Sequence, residues 1–188
     1  MSSDLSTRER FRREALRLFA EHGVDAVSVK RIATAVGTTA PNLYSHFSSR
    51  EALVADIFRT GYQHFGSRIS ETLSMPGDFQ VRLEALIRLV CRLHDEDTDL
   101  FRFLLLTQHQ NLHGIDPKGP LNPIELVHRF IEGAMVMREI PRRDPALVTA
   151  ALVGIVLQAA IFSNYGRLNG TLSASSDDLV ALCQKAVS

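Results

Sequence analysis

The segment 28–47 constrains the fold of this chain more than any other, because it carries the signals of two short helices joined by a tight turn. Ser28 can cap a helix whose apolar residues then recur at helical spacing, and Gly37 follows where that helix must end. Pro41 lies in the first turn of a second helix that begins at about Ala40, where a missing N–H costs least. The pattern predicts a helix-turn-helix unit.

The second helix of this segment has an inner and an outer side. Leu43 and Phe47 are four residues apart and can face a core, which leaves small, polar and uncharged side chains elsewhere. In DNA-binding helix-turn-helix proteins the second helix enters the major groove. The same geometry occurs in ordinary helical hairpins, so spacing alone leaves both DNA binding and a purely structural role open.

The chain from about Arg8 to Leu53 resembles the N-terminal domain of the tetracycline-repressor (TetR/AcrR) family of bacterial regulators. The matching residues stand at fixed offsets: Phe11, Ala15, Leu18-Phe19-Ala20-Glu21, Gly23, Ile32-Ala33, Gly37, Leu43-Tyr44, Phe47 and Ser49-Arg50-Glu51-Ala52-Leu53. The sequence departs from the usual family pattern at Thr38, where an apolar residue is common, and at Pro41, often glycine. The resemblance implies a DNA-binding domain, 1–48, and a domain for ligand binding and dimerisation, 49–188.

Composition and charge favour a soluble globular protein in the cytoplasm. The 188 residues are 45% apolar, enough for a sizeable core, and no secretion signal is recognisable at the N-terminus. Residues 1–50 hold eight Lys or Arg against five Asp or Glu, so this part carries +3 and the rest of the neutral chain −3. A basic head would be attracted to phosphate. Cys91 and Cys183 are expected to be buried free thiols.

Apolar periodicity and helix-breaking residues predict an all-α fold of about nine helices, three in the head and six in the body. Besides the two short helices, the predicted spans are 5–22, 49–73, 79–94, 100–113, 123–139, 146–166 and 176–187. The arginines of the first helix are expected to form mostly a solvated basic face. A membrane span at 146–162 is the rival interpretation for that stretch, but seventeen residues are the lower limit of length. No membrane association is predicted.

Residue chemistry and the resemblance together select the DNA-binding candidates: Ser28, Lys30, Thr39, Ala40, Pro41, Asn42, Tyr44, Ser45, His46 and Arg50. Lys30 and Arg50 can neutralise phosphates of any sequence. The family resemblance implies phosphate contacts for Tyr44 and His46, and base contacts for the side chains that project from the second helix. Asn42 can pair with an adenine edge, whereas Ala40 and Pro41 can touch a thymine methyl group.

One side of the apolar helix 146–166 predicts a subunit interface. Ala151, Gly154, Gln158 and Ile161 lie along this side and permit the close approach of another helix. Burial within a monomer is the alternative. TetR-like proteins dimerise through their last two long helices, and a palindromic operator requires two heads related by a two-fold axis. A homodimer on double-stranded DNA is therefore expected.

The resemblance also implies a ligand pocket in the body. The candidate lining residues are Tyr62, Phe65, Phe101, Leu105, Gln108, His109, Met135, Gln158 and Phe162. Because 100–113 contains no Lys or Arg beyond Arg102, a neutral or aromatic inducer is favoured. His109 and His113 have a spacing that can hold a metal ion, with His94 and Asp116 as conceivable further ligands, but solvated or pocket-lining histidines are the simpler interpretation.

The sequence therefore predicts a homodimeric, ligand-responsive transcriptional regulator, in the first place a repressor, that needs no cofactor. No nucleophile elbow, phosphate loop, dinucleotide fingerprint or Cys-x-x-Cys motif is present, so no enzymatic activity is predicted. The alternative is a helical small-molecule-binding protein whose helix-turn-helix is only structural. Binding to the promoter DNA beside its own gene would distinguish the two.

Overall fold

The computed structural model describes residues 6–111 and 114–188, without the side chains of residues 106 and 108–110. Across these residues the chain forms nine α-helices, a short 3-10 helix at Leu172–Ser175 and no strand, which confirms the predicted all-α fold. The helices are α1 (Thr7–His22), α2 (Val29–Val36), α3 (Ala40–His46), α4 (Arg50–Leu73), α5 (Phe79–Glu96), α6 (Thr98–Asn111), α7 (Pro123–Val136), α8 (Pro145–Asn164) and α9 (Ser176–Val187).

The chain divides into two compact units. The N-terminal unit comprises Met1–Gly61 with Asp99–His113, and the C-terminal unit comprises Tyr62–Thr98 with Gly114–Ser188. Helix α4 therefore contributes its first half to one unit and its second half to the other. The predicted boundary between residues 48 and 49 is a division by function and stays a prediction.

The core of the N-terminal unit follows the apolar positions of its helices. Phe11 of α1, Ile32 of α2, Leu43 of α3 and Leu53 of α4 are completely buried. Phe19 of α1 stacks on Phe103 of α6, with ring centroids 5.8 Å apart. Each full burial of such a side chain contributes about 1.5 to 3 kcal/mol, so these contacts fix how α2 and α3 lie on α1.

Local hydrogen bonds set the ends of α2 as the sequence predicts. The Ser28 hydroxyl accepts a hydrogen bond from the backbone N–H of Arg31 and caps the start of the helix. Gly37 adopts φ 78° and ψ 35°, a left-handed conformation in which its N–H donates to the carbonyls of Ala33 and Thr34. Such a turn disfavours residues with a β-carbon, and glycine adopts it without strain.

The C-terminal unit has its core between α5, α7, α8 and α9. Phe79 and Leu83 of α5, Ile131 of α7 and Cys183 of α9 are buried. Cys91 is buried as well, and burial raises the pKa of both thiols to about 11. The prediction of buried free thiols is confirmed.

Helix α7 ends three residues before the predicted Glu139. Arg138 takes a left-handed conformation at φ 60°, and the N–H groups of Arg138 and Glu139 turn back to the carbonyls of Met135 and Ala134. These two bonds form a Schellman motif. The turn frees the Glu139 carboxylate, which accepts a hydrogen bond from the Phe79 N–H at the start of α5.

The 3-10 helix Leu172–Ser175 was not predicted, because its support lies far away in the sequence. The N–H groups of Leu172 and Ser173 donate to the carboxylate of Asp95, at 3.0 and 2.9 Å. Burial alone would raise the pKa of Asp95, but these bonds and one with His94 outweigh it and hold that pKa below its ordinary value. An ionised Asp95 therefore connects the end of α5 to the entry of α9.

Candidate DNA-binding surface

Helix α3 presents most of the predicted base-reading residues on an accessible side. Thr39, Pro41 and Ser45 are exposed, and Ala40 and Asn42 are partly exposed. Leu43 within the helix and Phe47 just after it are buried against the core of the N-terminal unit. The predicted division of this helix into an inner and an outer side is confirmed, whereas the contacts of its outer side with bases stay a prediction.

The side chain of Asn42 is held in place by its neighbours. Its amide nitrogen donates to the Thr38 hydroxyl at 2.8 Å, and the Ser45 hydroxyl donates to the Asn42 backbone carbonyl at 2.7 Å. The Ser45 hydroxyl also lies 3.5 Å from the Asn42 side-chain oxygen, which has two lone pairs, so one N–H and one lone pair of the oxygen remain for an adenine edge. Thr38, a departure from the usual family pattern, thus helps to orient Asn42.

The predicted phosphate contacts differ in how free their side chains are. Lys30 is exposed and, among the described residues, its ammonium group makes no ion pair. Tyr44 is 53% exposed, and His46 is partly exposed, with its ring 5.8 Å from that of Phe11. Lys30 and Tyr44 therefore have the accessibility that a phosphate contact requires.

The guanidinium of Arg50 already has partners within the fold. It donates to the backbone carbonyls of Val24 and Val27, in the turn between α1 and α2. This side chain fixes the approach to the N-cap at Ser28, and only 23% of it is exposed. The phosphate contact predicted for Arg50 stays a prediction, and the structure adds an internal role that the sequence did not reveal.

Most of the arginines of α1 are solvent-exposed, as expected, but two of the five also satisfy carbonyls at the ends of neighbouring helices. Arg10 donates to the carbonyl of Val36 at the end of α2, at 2.8 Å, and Arg8 donates to the carbonyl of His46 at the end of α3, at 2.9 Å. The last carbonyls of a helix have no partner within it, so a guanidinium can satisfy them. Of the five, Arg10, Arg13 and Arg17 are the solvent-exposed ones, and Arg17 pairs with Glu14 and Glu21.

Sequence reasoning missed Asp56, the carboxylate that organises two of these arginines. Asp56 is 4% exposed, and its oxygens lie 2.9 Å from Arg8, 2.6 Å from Arg12 and 3.0 Å from Arg59. An acidic residue inside an apolar helical pattern, three residues from an arginine, was the only local signal. The partners on α1 are more than forty residues away, beyond the reach of sequence spacing.

The residues predicted for a dimer interface are accessible on α8. Ala151, Gly154 and Gln158 are exposed and Ile161 is partly exposed, whereas the other side of the helix is buried in the C-terminal unit. The exposed apolar side chains of α8, its end and α9 include Leu147, Phe162, Tyr165 and Leu182. By length and composition α8 is also apolar enough to cross a membrane, and 28% of its most apolar stretch of 18 residues is buried. The alternative of burial within a monomer does not hold for this side of α8.

The predicted ligand-binding residues have different environments. Phe101 and Met135 are buried, Tyr62, Phe65 and Leu105 are partly buried, and Gln158 and Phe162 are exposed on α8. Tyr62 donates to the side-chain oxygen of Asn122 at 3.2 Å, and burial raises its pKa. The side chains of Gln108 and His109 lie outside the described residues, so this pocket stays a prediction.

The proposed metal ligands are accounted for only in part. His113 and the side chain of His109 lie outside the part of the chain that the structure describes. The ring of buried His94 contacts Asp95 at 3.0 Å and Asn164 at 2.9 Å, so both of its nitrogens have protein partners. Within the described part of the chain, no group of three His, Cys, Asp or Glu is arranged to hold a metal ion.

Comparison with known proteins places the N-terminal region in a group of regulators. Residues 12–57 match the model of the family described as "Bacterial regulatory proteins, tetR family". The chain is 37% identical over 73 residues to the HTH-type transcriptional repressor KstR2 of Rhodococcus jostii, an alignment that covers 39% of this chain and 36% of KstR2. It is 33% identical over 86 residues to the HTH-type transcriptional regulator AcrR of Shigella flexneri, covering 45% and 40%. The matches thus span about two fifths of these relatives.

Solved structures of similar fold extend over nearly the whole chain. The fatty acid degradation regulator FadR of Bacillus halodurans superposes with a TM-score of 0.80 at 17% identity, covering 97% of this chain and 96% of that one. The transcriptional regulator FadR of Bacillus subtilis, solved in complex with stearoyl-CoA, gives 0.78 at 17% identity, covering 96% and 97%. At this identity the likeness is evidence of a shared fold.

Proposed function

We propose that this chain, whose residues 12–57 match the tetR family of bacterial regulatory proteins, is a transcriptional repressor that binds a palindromic operator as a homodimer. A small-molecule inducer releases it from the DNA. The observation that carries the proposal is the accessible side of α3, where Thr39, Asn42 and Ser45 are presented, together with an exposed Lys30 on α2. As a bacterial gene regulator, the protein is proposed to work in the cytoplasm.

Base reading and phosphate contact fall to different residues in this proposal. Asn42 reads a base, because Thr38 holds its amide with one N–H and one lone pair of the oxygen available. Lys30 and Tyr44 contact phosphates and fix the register of the head on the duplex. The bases at the other positions are contacted by Thr39, Ala40, Pro41 and Ser45.

The second copy of the chain covers the exposed apolar side of α8 and α9. Leu147 is 70% exposed, Tyr165 68% and Leu182 52%. A patch of this kind marks an interface in a soluble protein, and the small residues Ala151 and Gly154 permit two helices to approach closely. Dimerisation by this face accounts for α8 without a membrane.

Distinct losses are expected when the two kinds of DNA contact are removed. Lys30→Ala should weaken binding to operator and random DNA alike and reduce the salt slope by about one, because one phosphate contact is lost. Asn42→Ala should cost about 1 to 3 kcal/mol, mainly at one base position in each half-site. Mobility shifts with the promoter DNA beside its own gene, with single-base variants and with random DNA would measure both.

Two results would contradict this division of roles. Equal losses on specific and random DNA would exclude base reading by Asn42. Failure of the wild-type protein to prefer its own promoter to random DNA at any salt concentration would instead favour the alternative, a helical small-molecule-binding protein.

The inducer is proposed to be a neutral or aromatic compound that binds the C-terminal part of the chain. Tyr62 and Phe65 are partly exposed aromatic side chains there, and Met135 is a buried apolar one. Ligand binding can release DNA only by favouring a conformation in which the two heads are wrongly spaced. Because the fold of the B. subtilis regulator accommodates stearoyl-CoA, acyl-CoAs also belong in a ligand screen.

Coupling between inducer and operator is expected to be reciprocal. A compound that raises the melting temperature should weaken operator binding, and operator DNA should weaken the compound by the same factor, typically about 5- to 150-fold. Titration calorimetry of the compound with and without operator DNA would measure the factor in both directions. A tight ligand of the C-terminal part that leaves operator affinity unchanged would reduce the protein to a constitutive DNA binder.

A further inference from the structure

The C-terminal end of α3 is held by a side chain of α1. One terminal nitrogen of Arg8 donates to the backbone carbonyl of His46 at 2.9 Å. This carbonyl belongs to the last turn of α3, where helical partners run out. The same guanidinium lies 4.4 Å from the centre of the Phe47 ring, close enough for a cation–π interaction. Arg8 therefore contacts the last residue of α3 and the residue that follows it.

The other terminal nitrogen of Arg8 is fixed by α4. It donates to an oxygen of Asp56 at 2.9 Å, while Arg12 donates to the second oxygen at 2.6 Å. Burial alone would raise the pKa of Asp56, but the hydrogen bonds from Arg12 and Arg8 outweigh it and keep that pKa below its ordinary value. The carboxylate is thus charged at neutral pH, and a planar guanidinium bridges it to α3.

We propose that Arg8 is a positioning residue for DNA recognition: anchored by Asp56 of α4, it fixes the C-terminal end of α3 and thereby the presentation of the base-reading side chains. The inference rests on the proposed function. It assigns a role to a residue for which the sequence predicted only a place on a mostly solvated basic face. A phosphate contact is the competing role, since 43% of the Arg8 side chain is exposed.

Arg12 provides a matched control for Arg8. Both arginines lie on α1 and both pair with Asp56, but Arg12 contacts Glu9 as its other partner and, within the described part of the chain, makes no hydrogen bond or ion pair with α3. Arg8→Gln and Arg12→Gln each remove one ionic partner from the same buried carboxylate. A merely structural role for the cluster would make the two variants alike in stability and in DNA binding.

The experiment measures operator affinity, random-DNA affinity and salt slope for both variants. Arg8→Gln should lower operator affinity about tenfold, the loss of one charge-assisted hydrogen bond, with a smaller loss on random DNA and an unchanged salt slope. Arg12→Gln should stay within about twofold of the wild type on the operator. Arg8→Lys keeps the charge but cannot bridge the carboxylate and the carbonyl, so it should behave like Arg8→Gln.

A second measurement tests the positioning without DNA. Amide hydrogen exchange in residues 43–48 should be faster in Arg8→Gln than in the wild type and unaffected in Arg12→Gln. A salt slope reduced by about one in Arg8→Gln, with wild-type behaviour of Arg8→Lys, would identify a phosphate contact and overturn the proposal. Equal effects of the glutamine variants on binding and exchange would also overturn it. If the wild type binds no operator, the proposed function fails, whereas the exchange data still decide whether Arg8 holds α3.

Discussion

Replacing Gly66 by alanine is expected to destabilise the protein strongly, although alanine is the better helix former. Gly66 lies inside α4, and a β-carbon there would lie far inside van der Waals contact with the Leu121 carbonyl oxygen and 2.7 Å from the carbonyl carbon. A backbone group cannot rotate away, so the segment before α7 must move. Overpacking of this kind costs about 1 to 3 kcal/mol and occasionally more, against a gain of about 1 kcal/mol in helix propensity.

The displaced segment carries interactions that enlarge the loss. Asn122 follows Leu121, caps the start of α7 and accepts the hydrogen bond of the Tyr62 hydroxyl. We expect the free energy of unfolding to fall by about 2 to 3 kcal/mol, which corresponds to a melting temperature lower by about 5 to 10 °C in a chain of this size. Urea denaturation followed by circular dichroism would measure the change.

Gly61→Ala is the matched control for this prediction. It lies in the same helix, but its added β-carbon would meet a side-chain methyl group of Leu100 at 2.7 Å. A leucine methyl can shift by rotation, so the clash should largely cancel the helix-propensity gain, within about 1 kcal/mol. If Gly66→Ala proved as stable as Gly61→Ala, the close approach of α4 to the Leu121 carbonyl would be refuted.

Replacing Gly154 by leucine is expected to separate the stability of the subunit from the stability of the dimer. Within one chain, a β-carbon at Gly154 meets nothing within 4 Å, so the helix accepts it and gains helix propensity, about 1 kcal/mol. In the proposed dimer the same side chain intrudes between closely packed helices and costs about 1 to 3 kcal/mol. The dimer dissociation constant should therefore rise roughly 5- to 150-fold, and operator affinity should fall with it.

Gly133→Leu is the corresponding control, because Gly133 is an exposed glycine of α7 with equally open surroundings. It should gain helix propensity without a change in self-association. Sedimentation equilibrium of both variants, with circular dichroism to verify folding, would distinguish the two sites. A wild-type protein that stays monomeric at micromolar concentration and still binds a palindrome tightly would contradict the proposed interface.

Most helix positions were predictable because their causes are local. Ser28 and Gly37 set the ends of α2 through hydrogen bonds that span no more than four residues. The end of α7 was misplaced for the opposite reason. A left-handed Arg138 gives no signal in the sequence, since glycine is the residue that usually marks such a turn.

The sequence indicated which residues could contact DNA, but it revealed only part of what each of them does in the fold. The accessibility of Lys30 and Tyr44 agrees with what their positions suggested, whereas Arg50 is also committed to the carbonyls of Val24 and Val27. An arginine near a helix start has the same sequence signature whether it meets a phosphate or a carbonyl oxygen. The choice depends on which acceptor the fold places within reach of its guanidinium.

The sequence by itself determined the helices, the turn between α2 and α3 and the similarity of residues 12–57 to the TetR family. Those properties follow from periodicity, capping and fixed offsets, which act between residues close together in the chain. Only the tertiary structure decided that Asp56 pairs with Arg8 and Arg12, and that Gly66 must be glycine. Such contacts join residues 44 to 55 positions apart, and they form only after packing of the apolar faces has brought those residues together.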